Sequence, residues 1–212
     1  LLHLDLWWRG LNIALDAGSY SYNAPAPWNN ALAATQFHNT VTVDMQSQMK
    51  RYGKFLWLPW ANGRLLSNTG NTLHLTHNGF TPVTYERHIS QPQPDCWLIR
   101  DELQDTVSHQ YRLHWLLHNF PYQFDATSGK LTLETERGRF FIAIGTAANE
   151  IENLQLESAA HDSPNGWSAP LYKCKVPALS LSLTCTGKTA VFTTIFSSKP
   201  ISSTMIDACL KE

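Results

Sequence analysis

His3–Asn23, HLDLWWRGLNIALDAGSYSYN, then a Pro- and Trp-bearing loop, then Ala34–Asp44, ATQFHNTVTVD, hold the densest apolar patterning in the chain. His3 to Trp8 alternates polar and apolar until Trp7-Trp8, and Leu11 to Leu15 continues as an apolar run. Arg9-Gly10 between them predicts a hairpin or bulge. Asp16-Ala17-Gly18 ends the second strand, because Asp bonds amides two residues on and Gly supplies a positive φ. Val41-Thr42-Val43 is β-branched and predicts another strand, entered through His38-Asn39-Thr40. If these strands are neighbours, Asp16 and His38 converge. A carboxylate oxygen and an imidazole nitrogen suit Zn²⁺, but structural zinc takes four ligands and catalytic zinc three plus water. The competing reading makes Asp16 a turn former and His38 a hydrogen-bonded edge residue.

Working outward, strand signals continue to the end of the chain. Lys54–Pro59 is an apolar run closed by Pro59, and Asn62-Gly63 is a turn signal. Asn71–His77 alternates, with Leu73 and Leu75 on one face and His74 and Thr76 on the other. Cys96–Arg100 reads as a buried strand ended by Asp101-Glu102. Val107–His118 places Tyr111, Leu113, Trp115 and Leu117 on one face and Gln110, Arg112, His114 and His118 on the other, which favours a strand over a helix. Lys130–Glu134 and Arg139–Ile144 frame a turn at Glu136-Arg137-Gly138. Leu179–Thr184 and Thr189–Phe196 read as a closing hairpin around Gly187-Lys188. Short helices are expected only at Asn30–Ala34 and from Met205 onward. The expectation is an all-β fold, an antiparallel β-sandwich of two large sheets over residues 1–212 as a single domain.

The 212 residues, 43% hydrophobic and 16% charged, describe a globular chain with ample material for a core. A net charge of −1 with no basic stripe argues against nucleic acid. No apolar run approaches membrane-spanning length. A first residue of Leu, almost inside a strand, marks the chain as the expected C-terminal fragment of a longer protein. Cys96, Cys174, Cys185 and Cys209 form no CxxC; Cys174 and Cys185 could face each other across a hairpin, or all could be free thiols.

Other candidate chemistry is weaker. His114 and His118, four apart on a strand, lie about 13 Å apart, so they read as outward-facing or hydrogen-bonded histidines. Glu86-Arg87-His88 and Arg100-Asp101-Glu102 read as surface ion pairs, with Arg87 as an alternative neutraliser of an acidic sugar. Trp7 and Trp8 must point to opposite faces. No GxGxxG, P-loop, GxSxG or HExxH motif is present.

DLWWRG (5–10), LDAGSYSYN (15–23) and TQFHNTVTVD (35–44) resemble the C-terminal domain of the heparinase II/III-like polysaccharide lyases. Further marks are Gln48-Met49, FLWLPWANG at Phe55–Gly63, YERHI at Tyr85–Ile89, WLIRDEL at Trp97–Leu103, LHWLL at Leu113–Leu117 and GWSAPLY at Gly166–Tyr172. The resemblance implies a bacterial periplasmic or secreted protein with a helical toroid ahead of this β-sandwich. It also implies an acidic, uronate-containing polysaccharide bound between the two and cleaved by β-elimination, with Tyr and His as base and acid. Asp16 and His38 match two of three family Zn²⁺ ligands. The third, with a catalytic His, is expected upstream of Leu1, since His3 stands too close to Asp16 in sequence. No catalytic residue is expected in this chain, which should fold yet lack lyase activity alone. Two alternatives stand beside this: a non-catalytic glycan-binding or structural β-sandwich module, and a metallohydrolase using Asp16, His38 and His74 or His77.

Overall fold

The computed structural model describes residues 1–147, 149–202 and 205. Cys209 and, apart from Met205 itself, the helix expected from Met205 onward lie outside the described residues. The first two strands, β1 (Leu6–Trp8) and β2 (Leu11–Ala14), form the expected hairpin. Arg9 and Gly10 at its tip both have positive φ, 49° and 82°, as a two-residue turn matched to strand twist requires. Trp8 is buried and Trp7 exposed, as adjacency on a strand demands. A 3-10 turn, Ala31–Ala33, stands where a short helix was expected at Asn30–Ala34, and a second, Thr35–Phe37, follows it. They lead into β3 (Val41–Val43).

The apolar run Lys54–Pro59 yields only a two-residue strand. β4 (Lys50–Arg51) and β5 (Trp57–Leu58) pair as a separate ribbon. Next come β6 (Gly63–Asn68), β7 (Thr72–His77), β8 (Thr84–Gln93) and the 23-residue β9 (Cys96–His118). The chain continues through β10 (Tyr122–Asp125), β11 (Lys130–Thr135), β12 (Gly138–Thr146), β13 (Asn153–Ser158) and β14 (Trp167–Leu171) to the 24-residue β15 (Cys174–Ser197).

The two long strands organise the sandwich. They pair antiparallel along most of their length, and each serves two layers. The first half of β9 and the second half of β15 lie within the order β10-β11-β12-β15-β9-β8-β7-β6. Their other halves take β13 on one side and β2 and β3 on the other. The layers face each other: Trp115 from the end of β9 packs edge-on against Phe196 at 4.8 Å and donates its indole N–H to Thr194 Oγ1 at 3.0 Å. Trp8 packs on Phe140 at 5.0 Å. Each large apolar side chain so buried stabilises by roughly 1.5–3 kcal/mol.

Two expected strand ends are absent. Asp101-Glu102 does not stop β9, because Asp101 finds a buried partner in Arg87 while Glu102 points to the other face. Gly187-Lys188 is a bulge inside β15, not a hairpin turn: Gly187 opposes His109 but Thr189 opposes Gln104. Such a slip lets a strand bend from one layer to the next. Cys174 and Cys185 therefore lie on one strand, the first exposed and the second buried, and both are free thiols. Among the described residues, no helix is long and apolar enough to cross a membrane.

Candidate metal centre

His3 precedes β1, Asp16 follows β2 and His38 precedes β3, so local strand ends deliver all three. His38 Nδ1 lies 3.3 Å and His3 Nε2 3.5 Å from the same oxygen, Asp16 Oδ2. The two rings meet edge to face with centroids 5.3 Å apart. One donor atom from each residue lies within 4.8 Å of the others. Asp16 and His38 do converge. The short chain separation that set His3 aside is no obstacle, because the β1–β2 hairpin folds the segment back on itself, with Leu6 opposite Ala14. His74 and His77, the alternative third histidines, are elsewhere: His74 bonds Glu86, and His77 lies against Gln48 and accepts from the Gly79 amide.

The Asp16 turn is held from two sides. Asp16 Oδ1 accepts the Gly18 amide at 2.6 Å. Gly18 has φ +70°, and a Cβ there would stand 2.2 Å from the Ala169 carbonyl oxygen, so only glycine fits. β14 braces the same turn: the Ala169 amide donates to Ala17 O at 2.8 Å and the Ser168 hydroxyl to Asp16 O at 3.2 Å. This contact joins the LDAGSY and GWSAPLY stretches, which are far apart in sequence.

Asn39 is the residue that sequence reasoning missed. Fully buried, it donates through Nδ2 to Leu4 O at 2.9 Å and Leu15 O at 3.0 Å, and its Oδ1 accepts the Leu116 amide at 2.6 Å. Its own amide donates to His3 Nδ1 at 3.0 Å. It thus ties the segments bearing His3, Asp16 and His38 to β9. The only sequence signal was its place inside HNT. Beneath it, Arg87 Nη1 donates to Leu2 O at 2.5 Å and Asn39 O at 2.7 Å, while its Nε and Nη2 form a bidentate pair with Asp101 at 2.6 and 3.0 Å. Arg87 and Asp101 are fully buried. Neither is a surface ion pair, and Arg87 cannot reach a sugar. Strand alternation explains this, since Arg87 shares the inward face of β8 with buried Tyr85.

His114 is buried rather than outward-facing. Its Nδ1 donates to His38 O at 3.1 Å, so Nε2 accepts from the Ser180 hydroxyl at 2.8 Å. Burial pushes its pKa well down, so the ring stays neutral. His118 remains exposed and stacks on Phe120.

The cluster faces a cavity of about 280 Å³, lined also by Thr35, Gln48 and Trp57. The hydrogen bond from His38 holds the Asp16 carboxyl down at about 2, with the Gly18 amide adding to it against desolvation. Burial lowers the His3 pKa, with Asp16 opposing. Asp16 is therefore a carboxylate and His3 a neutral ring at neutral pH. Two imidazoles and one carboxylate within ligand reach fit Zn²⁺ in donor type and number. Because His3 Nδ1 accepts the Asn39 amide, the ring proton sits on Nε2. Ligation at Nε2 requires that proton to pass to Nδ1, which would give up the bond from the Asn39 amide.

Fold and site together define a β-sandwich in which two histidines and one carboxylate line a common cavity. Residues 1–202 match the profile of the heparinase II/III-like C-terminal family, and the chain belongs to that family, one drawn from polysaccharide lyases. No curated protein matches it in sequence. Among solved structures it is similar to a heparinase III gene product, with 17% identity and a TM-score of 0.70 over 91% of this chain and 29% of that one. It is also similar to the heparan sulfate lyase HepC from Pedobacter heparinus, with 19% identity and a TM-score of 0.70 over 92% of this chain and 30% of that one. The chain thus spans less than a third of the length of these structures, and at such identity the likeness is one of fold.

Proposed function

We propose that this chain is the β-sandwich part of a lyase that cleaves a uronate-containing polysaccharide by β-elimination, with His3, Asp16 and His38 holding Zn²⁺. The observation that carries the reading is the convergence of those three side chains at a cleft, in a member of this family. Bound there, the ion would supply positive charge and cross-link three loops at the cleft wall. His38 and His3 orient the Asp16 carboxylate, Asn39 holds the loops in register, and Arg87 anchors Asn39 from below.

The groups that move the C5 proton of the uronate belong, on this reading, to a helical domain packed against the cleft. The ribbon region supports that placement: Tyr52, Phe55, Leu56, Leu58 and Trp60 are all exposed beside Trp57, which lines the cavity. An apolar surface of this kind marks a contact site. The polymer is met outside the cytoplasm, in the periplasm or secreted. The test pairs metal content with lyase assay. The zinc that remains with the purified chain should fall by one equivalent in Asp16→Ala and in His38→Ala. Unsaturated-uronate absorbance should come from a longer form carrying the helical domain and not from these residues alone. A zinc content unchanged in both variants would remove the centre, and turnover by the chain alone would refute the division of labour.

A further inference from the structure

His74 on β7 and Glu86 and His88 on β8 form a second cluster that the lyase reading does not use. His74 and His88 are direct cross-strand partners, and Glu86 is two residues before His88. Alternation puts all three on one face of the sheet, opposite the buried Tyr85 and Arg87. Both imidazoles aim Nε2 at one carboxylate oxygen: Glu86 Oε2 lies 2.7 Å from His74 Nε2 and 4.0 Å from His88 Nε2. One donor atom of each residue lies within 4.8 Å of the others. Zn–N and Zn–O bonds of about 2.0–2.2 Å place tetrahedral donors roughly 3.3–3.6 Å apart. The two observed oxygen–nitrogen spacings straddle that value.

We infer that His74, Glu86 and His88 form a second binding site for a divalent transition cation of the Zn²⁺ class, on the outer sheet face and separate from the cleft. The rings are stacked, with centroids 3.9 Å apart and 20° from parallel. Two imidazolium rings so placed would repel, so at least one is neutral, the form that ligates. Rotation of each ring about its Cβ–Cγ bond, with the His74 Nε2 proton passing to Nδ1, turns the two Nε2 atoms toward a shared point, and the ion replaces both the stack and the His74–Glu86 hydrogen bond.

The surrounding charge favours a cation. Arg100 donates to Glu102 at 2.6 Å, so those two offset each other and Glu86 is left as the negative charge. All three side chains are part-exposed, which leaves a path for entry and a fourth position for water. The backbone supplying the ligands is two hydrogen-bonded strands in regular register, so the site is preorganised without loops.

The test uses untagged protein, stripped of metal, loaded with Co²⁺ and dialysed against metal-free buffer. Retained cobalt should number two equivalents, falling to one in His88→Ala and in Glu86→Gln. Asp16→Ala should also fall to one, and His88→Ala combined with Asp16→Ala to none. The visible cobalt bands of the two single-site forms should differ. Because the sites share no residue, loss of the cleft ion alone tests the lyase reading and leaves this one standing. A second equivalent that survives both His88→Ala and Glu86→Gln, or a retained cobalt content that His88→Ala leaves unchanged, would overturn the inference.

Discussion

His3, Asp16 and His38 meet because three strand ends and their loops converge, whereas His74, Glu86 and His88 meet because two adjacent strands are in register. The donor sets are nearly the same, but the supports differ. The first set rests on Asn39, Arg87, Asp101 and His114, all buried and linked by hydrogen bonds. The second rests on strand pairing alone. Damage below the sheet should therefore reach the cleft centre and spare the sheet-face cluster, and damage to the sheet-face side chains should cost little stability.

The largest expected effect breaks the support of the first set. Asp101→Ala leaves the Arg87 guanidinium buried without its bidentate partner and should destabilise by about 3–5 kcal/mol. Urea unfolding would show it as a lower midpoint with an unchanged slope. Metal retained at the cleft should fall with it, while metal held by His74, Glu86 and His88 should persist wherever the protein remains folded. An effect below about 1 kcal/mol would show that the buried pair is not the cleft's foundation.

The next effect is on pH. Burial lowers His114 well below its ordinary value and takes His77 down to about 3. Both rings are neutral in the folded state and protonate more readily when unfolded. Stability is therefore complete above about pH 6.5 and falls as pH drops from there toward the folded values, by about 1.4 kcal/mol per unit for each ring. Unfolding free energies at pH 7.5 and pH 5 should differ by about 2 kcal/mol per histidine, and His114→Gln should reduce the difference. A stability that rises on acidification would contradict the buried, neutral assignment.

The smallest effect sharpens the contrast from the other side. Glu86→Gln removes a half-exposed partner of His74 and should change stability by no more than about 0.5 kcal/mol, measured by the same unfolding curves. A cost several times larger would mean that the sheet-face cluster is itself a structural support.

Much of this was readable from residue order. Alternation in Val107–His118 identified the strand and its inward face, and Arg9-Gly10 marked the first turn. Asp16 and His38 were placed together correctly. Two of the readings that failed share a cause: a charged residue was taken as exposed or as a strand end. Asp101 continues β9 because Arg87 neutralises it, and Arg87 is buried because Asp101 and two carbonyls satisfy it. Gly187 reads as a turn unless one knows that β9 runs alongside with extra residues between Gln104 and His109. Asn39 looks like any strand-leading polar residue until its three partners, from Leu4, Leu15 and Leu116, are seen.

Local chemistry thus determined which segments are strands, which face of each is apolar, where the tight turns fall and which family the chain resembles. Those properties depend on side-chain period and backbone preference, which act over a few residues. Only the tertiary structure decided that β9 and β15 each serve two layers, that His3 joins Asp16 and His38, and that His74 lies against Glu86 and His88. Each depends on register between distant segments, set by the burial of the whole core and by partners that satisfy buried charge.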